Sequence, residues 1–400
     1  MRGDCNRVGC YFHALDIMPM MKQEPVLFLF NSPLSSGCDY VLQTARIVSS
    51  AHPAYGISLG DILFLPRLVL NKDRWVVRTI GGSVMVRPVS LLPGVRFRFV
   101  RMLTYATTAL GVRMYLALRY RDTKKIFWFF EPFHIPPLLG ILKGYTTLYD
   151  CVDYYPGFSP AAKHEHEICV RKADYVFANS VPLALQLRKS RRDTKVVPLG
   201  FAPELFSAFR VVPGGTNKQS FTVGYIGSIS DRIDFPLLVH IVKKMPDVQF
   251  MFVGPVERNV FGNTDAADKQ LQLLRRYANV TWMPSVSKGR IPSVLKRIDA
   301  GLIPYRSSLP FNRFSFPMKT FEYFAAGKPV LSTDIEALKP YQKNGLVYII
   351  STAHQGITAI RALKRNGWNH SKQTMQRRAV LHHTWERKVR EILTRVSASK

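Results

Sequence analysis

Short apolar runs alternate with amphipathic stretches along the chain, and this alternation predicts its elements. Residues 26–30 read as a first strand, followed by a loop with Gly37 and a helix over about 39–50. Further runs of buried-strand length lie at 126–130, 146–148, 175–178 and 196–197, with helical patterns at 161–172 and 182–189 between them. A Pro/Gly/polar stretch, 203–220 with Pro213-Gly214-Gly215, reads as a linker. The alternation then restarts with strands at 222–226, 248–253, 280–282, 300–303, 329–332 and 347–350. Short strands alternating with helices predict parallel sheets covered on both faces, here two in succession with a cleft between them.

Length agrees with this picture, since 400 residues exceed what one hydrophobic core usually serves. The expected organisation is a disordered lead or over-called start at 1–23, a first domain at 24–205 and a linker at 206–219. A second domain follows at 220–385, then a C-terminal helix at 386–400 able to pack back on the first. An apolar fraction of 47% with 12% aromatics excludes general disorder. No apolar run reaches the roughly 18 residues of a membrane span. The first twenty-odd residues contain no apolar signal core, so a cytoplasmic chain is expected. The 5 cysteines (Cys5, Cys10, Cys38, Cys151, Cys169) form no CxxC pair, which suits reduced thiols better than a disulfide framework or zinc site.

Charge changes the picture more. The net charge is +29; residues 1–200 hold 26 Lys+Arg against 14 Asp+Glu and the rest 30 against 13, so both halves are basic. Such a balance favours polyanionic partners, whether nucleic acid, an anionic membrane or phosphorylated ligands, and does not choose among them.

In sheets of this kind ligands bind in loops beyond the carboxyl ends of strands. Gly224-Tyr225-Ile226-Gly227-Ser228 closes the first strand of the second series, with Asp231-Arg232 just beyond. Glycines there let backbone N–H groups approach an anion and arginine pairs with phosphate, although Gly-x-x-Gly often marks only a turn. Gly254 after the next strand is equally ambiguous, and Asp299 to Tyr305 reads mainly as a buried strand ending in Pro304. The segment FPMKTFEYFAAGKPV at 316–330 is stronger. Pro317 suits a helix's first turn, Gly327 its C′ position, and Phe321, Phe324 and Ala325 share an inward face. Lys319 and Glu322 stand three apart near its start. They are either a surface ion pair of small value or a nucleoside-diphosphate grip, with lysine on phosphate and carboxylate on ribose.

That segment resembles the donor-binding helix of GT-B glycosyltransferases of the group that assembles bacterial surface polysaccharides and glycolipids. The similarity runs from about residue 24 through Leu148-Tyr149-Asp150-Cys151-Val152-Asp153, Ala173 to Ser180, Val197-Pro198-Leu199-Gly200 with Phe206, Gly224 to Gly227 and Asp299 to Tyr305. The resemblance implies an α/β GT-B architecture, two Rossmann-like parallel-sheet domains facing an interdomain cleft. It implies transfer, hexosyl or glycuronosyl, from a UDP- or GDP-type nucleotide sugar to a lipid-linked or saccharide acceptor. By motif position Glu322 holds ribose, Lys319 and Arg232 the diphosphate, and Gly227 and Ser228 supply backbone donors; Met318 and Tyr305 complete the donor site. Metal is not expected, because basic side chains and a helix dipole neutralise the leaving diphosphate. There are departures: many retaining members carry a glutamate where this chain has Phe314, beside Asn312 and Arg313, which leaves retention or inversion open.

An inverting reaction needs a general base from the first domain. Asp153, and after it Asp150, follow the 146–148 strand, although Asp there is often a turn or cap residue. His134, in Glu131-Pro132-Phe133-His134 after the preceding strand, is a candidate sugar or diphosphate contact. Glu165 and Glu167, flanked by His164 and His166, read as a solvated helix face rather than a metal site. Residues 91–125 interleave Arg96, Arg98, Arg101, Arg113, Arg119, Arg121, Lys124 and Lys125 with Phe97, Phe99, Leu110, Met114 and Leu118. They predict either a helix lying on an anionic membrane surface, on the inner face of the plasma membrane, or a helix pair with a basic outer face. The rival functions are a catalytically inactive, hydrolase- or epimerase-type nucleotide-sugar protein and, from charge alone, a nucleic-acid binder. For the latter no recognition helix or stacking platform is found.

Overall fold

The computed structural model describes residues 24–30, 39–60, 62–64, 76–94, 96–201, 206–209, 220–257 and 264–398. The expectations for 1–23, for the loop at Gly37 and for most of the linker, including Pro213-Gly214-Gly215, lie outside the described residues. Contacts group the chain into two compact units, one of residues 1–150, 172–175 and 389–400, the other of 151–171 and 176–388.

Among the described residues, ten strands precede the linker: β1 Val26–Phe30, β2 Ala54–Ser58, β3 Leu63–Phe64, β4 Val77–Ile80, β5 Ser83–Val86, β6 Val89–Ser90, β7 Ile126–Phe129, β8 Thr146–Cys151, β9 Tyr175–Ala178 and β10 Lys195–Val196. Eight of them form one sheet in the order β10-β9-β8-β7-β1-β2-β5-β4. Neighbours pair in parallel from β7 through β1 and β2 to β5, and only β4 runs antiparallel, joined to β5 through Gly81 and Gly82 at φ 56 and 86. Two positive-φ residues are what a tight hairpin turn requires, and glycine adopts them without a Cβ clash. Central strands are buried on both faces, which is why β1 and β7 read as unbroken apolar runs.

Six strands follow among the described residues: β11 Thr222–Ile226, β12 Gln249–Val253, β13 Val280–Met283, β14 Ala300–Ile303, β15 Val330–Ser332 and β16 Val347–Ile349. Their sheet has the order β13-β12-β11-β14-β15-β16, with every pair parallel. One apolar core fills this unit, from Phe221 and Val223 through Phe250, Leu302, Phe321 and Tyr323 to Val380. A Cβ on Gly301 would overlap the Tyr323 ring and one on Gly224 would overlap Ile298, so glycine lets helices settle directly on β14 and β11. In both sheets the order turns back beside the first strand, between β1 and β7 and between β11 and β14. A doubly wound sheet opens its ligand crevice at that point.

Two sequence expectations are corrected. The strand read at 146–148 continues to Cys151: β7 pairs with it through Tyr149 and β9 neighbours its other side, so Asp150 lies within the strand and not in a turn. His166 is buried beside Tyr155, so the helix Pro160–Lys172 does not present a wholly solvated face.

Candidate functional site

The turn-back of the second sheet lies between the loops after β11 and β14, and the 316–330 segment reaches it from one side. Its helix starts at Lys319 rather than Pro317: the N–H groups of Thr320 and Phe321 bond to Pro317 and Met318 carbonyls, leaving Met318 at the cap. The helix Lys319–Ala325 buries Phe321, Phe324 and Ala325 as their spacing predicts. Gly327 ends it at φ 64, with the Lys328 N–H returning to the Tyr323 carbonyl at 2.9 Å, a Schellman closure. The Arg377 guanidinium, lying 3.8 Å over the Phe206 ring, donates to the Ala325 carbonyl and fixes that end. Tyr323 holds the other side of the helix, donating to the Gly224 carbonyl at 3.1 Å and accepting from the Ile226 N–H at 3.3 Å.

This anchoring aims Lys319 at the crevice. Its ammonium donates to the hydroxyls of Tyr305, just beyond β14, and of Tyr225 in β11, the latter at 3.3 Å. It lies 4.3 Å from the Tyr225 ring centre and 4.9 Å from that of Tyr305. Arg232 covers the Tyr305 ring at 3.8 Å. Asn312 is buried and sets that guanidinium: its Oδ1 accepts from Arg232 Nε at 3.2 Å, while its amide donates to the Arg232 and Arg306 carbonyls at 3.1 and 3.0 Å. Burial is the main reason Lys319 titrates below the ordinary lysine range, and the Arg232 cation adds to it. Burial pushes the Tyr305 phenol up, but Arg232 and Lys319 together outweigh this and hold it below the usual tyrosine range. Two mutually repelling cations stacked on one aromatic ring are an electrostatic arrangement that an anion relieves. Beside them Ser228 Oγ and Thr320 Oγ1 are buried without a hydrogen-bond partner among the described residues, which is costly for hydroxyls unless something else bonds to them.

Gly227 sits under Lys319: at φ 140 it has no Cβ, and one built there would stand 2.8 Å from the ammonium. Its N–H, expected as an anion donor, instead bonds to the Val253 carbonyl at 2.8 Å, because the β11–β12 ladder continues one residue past the strand. Its contribution is therefore room and not a hydrogen bond. Glu322 stands half-buried one turn along the helix from Lys319.

The candidate bases are placed differently from one another. Asp150 lies inside β8 and is fully buried. Asp153 is half-buried beyond the strand end, and the next residue ties to the residue just before the 316–330 segment: the Tyr154 N–H donates to Ser315 Oγ at 3.0 Å. Phe314, at the position where a carboxylate is common, packs its ring 5.1 Å from Tyr154. The structure thus brings Asp153 within one residue of the segment leading into Lys319.

His134 lies in the other unit, in the loop beyond β7, where the first sheet turns back. It adopts φ 63, strained for a non-glycine residue, and faces Tyr105 at 5.4 Å between rings. Burial, with Arg101 and Arg98 adding to it, lowers its pKa to about 4, so it is neutral at physiological pH. Glu131 in the same loop accepts from the Tyr40 hydroxyl at 2.5 Å. Local sequence gives no reason to place Tyr225 or Asn312 at the site beyond the tyrosine's position inside the Gly224–Gly227 motif.

Residues 220–366 match the family model described as Glycosyl transferases group 1. Over 227 residues the chain is 30% identical to a provisionally named teichuronic acid biosynthesis glycosyltransferase, TuaH, of Bacillus subtilis strain 168, covering 52% of this chain and 55% of that one. The chain spans about half the length of the curated relative it matches. Sucrose-phosphate synthase from Thermosynechococcus elongatus superposes with a TM-score of 0.73 at 15% identity, over 94% of this chain and 100% of that one. HepE from Anabaena, solved in complex with UDP and glucose, does so with a TM-score of 0.69 at 15% identity and the same coverage. At that identity the likeness is one of fold: the chain has the α/β, parallel-sheet architecture of GT-B glycosyltransferases.

Proposed function

We propose that the chain, whose residues 220–366 match the group 1 glycosyl transferase model, transfers a sugar from a nucleotide-diphosphate sugar to a lipid-linked or saccharide acceptor in cell-surface polysaccharide assembly. The observation that carries this reading is the Lys319–Tyr305–Arg232 cluster at the turn-back of the second sheet. Lys319 and Arg232 take the diphosphate, and the orphaned hydroxyls of Ser228 and Thr320 offer it donors. Glu322 takes the ribose hydroxyls, and Met318 opens the helix whose positive end faces the phosphates. Gly227 keeps the approach clear. Charge that develops on the leaving diphosphate is met by the two cations, so no metal is required.

Asp153 is the base that accepts the acceptor hydroxyl's proton, being half-exposed where Asp150 is sealed in a strand. His134, held neutral by burial and by Arg101 and Arg98, keeps a ring nitrogen able to accept from a sugar hydroxyl. UDP in the HepE structure and the teichuronic acid assignment of the Bacillus relative support a UDP-sugar donor and a hexosyl or glycuronosyl group. An acceptor assembled on lipid would place the protein peripherally on the inner face of the plasma membrane.

The test is release of nucleoside diphosphate from UDP- and GDP-sugars with and without undecaprenyl-linked or oligosaccharide acceptors. Acceptor-dependent release with label moving to the acceptor supports transfer. Release that is indifferent to acceptor points to the hydrolase reading, and no turnover of any donor to the inactive one.

A further inference from the structure

The helix Arg98–Arg119 is apolar on two faces. Tyr105, Ala109 and Leu116 point inward and are buried. Phe99, Leu103, Leu110, Met114 and Leu118 form a second line on the outside, exposed by 75, 43, 48, 58 and 67%. Their spacings of four, seven, four and four keep them on one side of a helix. With exposed Leu91, Leu92, Phe97 and Tyr115, they make nine of the seventeen large apolar side chains exposed among the described residues, so this is a patch and not scatter. At 1.5 Å per residue the helix is about 33 Å long.

The expected basic outer face is absent. Arg113 donates inward to the Ile141 carbonyl, and Arg101 Nε is buried without a partner among the described residues. The exposed cations sit instead at the ends of the stripe, Arg96 and Arg98 at one, Arg119, Arg121 and Lys124 at the other. No acidic residue occurs from Arg74 to Arg121. That charge layout selects the occupant. A second copy packed antiparallel on the stripe would bring like-charged ends together in a chain of net charge +29. An anionic bilayer offers apolar depth beneath the stripe and phosphates at both ends. No helix among the described residues is long and apolar enough to cross a membrane.

We infer that the helix Arg98–Arg119 docks flat on an anionic phospholipid surface, its outer stripe lying between headgroups and acyl chains and its terminal arginines on lipid phosphates. The inner face of the same helix carries Tyr105 against His134, so docking sets the β7 loop one helix diameter from the lipid.

The full chain is sedimented with phosphatidylcholine vesicles, with and without phosphatidylglycerol. The wild type pellets with the anionic vesicles only. The exposed-surface variant L110S/M114S/L118S loses at least about ten-fold in binding at low salt, although every arginine remains. Thr107→Asp, an exposed and already polar position at the middle of the stripe, does the same and guards against misfolding of the triple variant. R119Q/R121Q weakens binding and flattens its salt dependence. Stripe variants that pellet like the wild type overturn the inference, as does a wild type that ignores vesicles but self-associates in light scattering. Sedimentation reads binding and not turnover, so failure here leaves the transfer reading standing.

Discussion

Asn312→Leu removes the residue that orients Arg232 while nearly conserving volume. Three hydrogen bonds go: Nε of Arg232 to Oδ1 at 3.2 Å, and the amide donations to the Arg232 and Arg306 carbonyls at 3.1 and 3.0 Å. The Arg232 carbonyl keeps one donor, the Arg306 N–H at 2.8 Å. The two amide donations are worth about 1 kcal/mol each, and the arginine bond, half in solvent, about the same after water replaces it, which gives roughly 3 kcal/mol of lost stability. The loss for ligand is separate. An Arg232 no longer held over Tyr305 must be ordered on binding, at about 0.5–1.5 kcal/mol, or ~3- to 10-fold in Kd for a nucleoside diphosphate. Urea unfolding followed by tryptophan fluorescence reads the first quantity and calorimetric titration of UDP the second. A variant within about 0.5 kcal/mol of the wild type, below what one lost bond should cost, would refute the clamp. So would a stability loss with unchanged UDP affinity, since it would detach Arg232 from the ligand.

Lys319→Met keeps the stem and removes the charge; UDP affinity falls by at least about ten-fold with little change in melting temperature, both read by titration and calorimetry. Because burial and Arg232 hold Lys319 below the lysine range, a bound diphosphate restores its proton. UDP binding therefore takes up protons at alkaline pH below the free-lysine value of about 10.4, seen as a buffer-dependent binding enthalpy and lost in Lys319→Met. Gly254→Ala forces a Cβ onto the Gly227 carbonyl at φ 146, at a strain of about 1–3 kcal/mol, and lowers UDP affinity by displacing Gly227 from beneath Lys319. His166 has its pKa lowered from 6.5 to about 4 by burial, so the stability it contributes is whole above 6.5 and is lost as pH falls to about 4. That amounts to roughly 3 kcal/mol, and His166→Gln should flatten the slope of urea stability across this window.

The strands buried on both faces were legible in the chain because such strands are uninterrupted apolar runs, as in β1, β11 and β14. Where local preference and the sheet disagree, the pattern misleads: Asp150 reads as a turn or cap residue after a strand ending at 148, yet β8 runs on to Cys151. The hairpin of β4 and β5 is not legible in the pattern because its outer strand is mostly exposed and offers no apolar period. At the site, Lys319, Arg232 and Gly227 could be named from local motifs, and Tyr305 only from the resemblance. Their arrangement could not, since Lys319 meets Tyr225 across 94 positions and Asn312 meets Arg232 across 80. The Gly227 N–H looked available from the motif and is taken by a ladder bond that depends on β12. Composition alone could not show that the arginines of 98–119 divide between an inward pair and two ends, leaving the outer face apolar.

On the proposed reading, the helix Lys319–Ala325 and the β11 and β14 loops bind a nucleotide-diphosphate sugar. A thermal-shift screen of UDP-, GDP- and dTDP-sugars on the wild type and on Glu322→Ala tests it most directly. One nucleotide series raises the wild-type melting temperature, and that rise is largely lost in Glu322→Ala. A wild type that none of the donors stabilises, or a shift that survives Glu322→Ala intact, contradicts the assignment of the donor site.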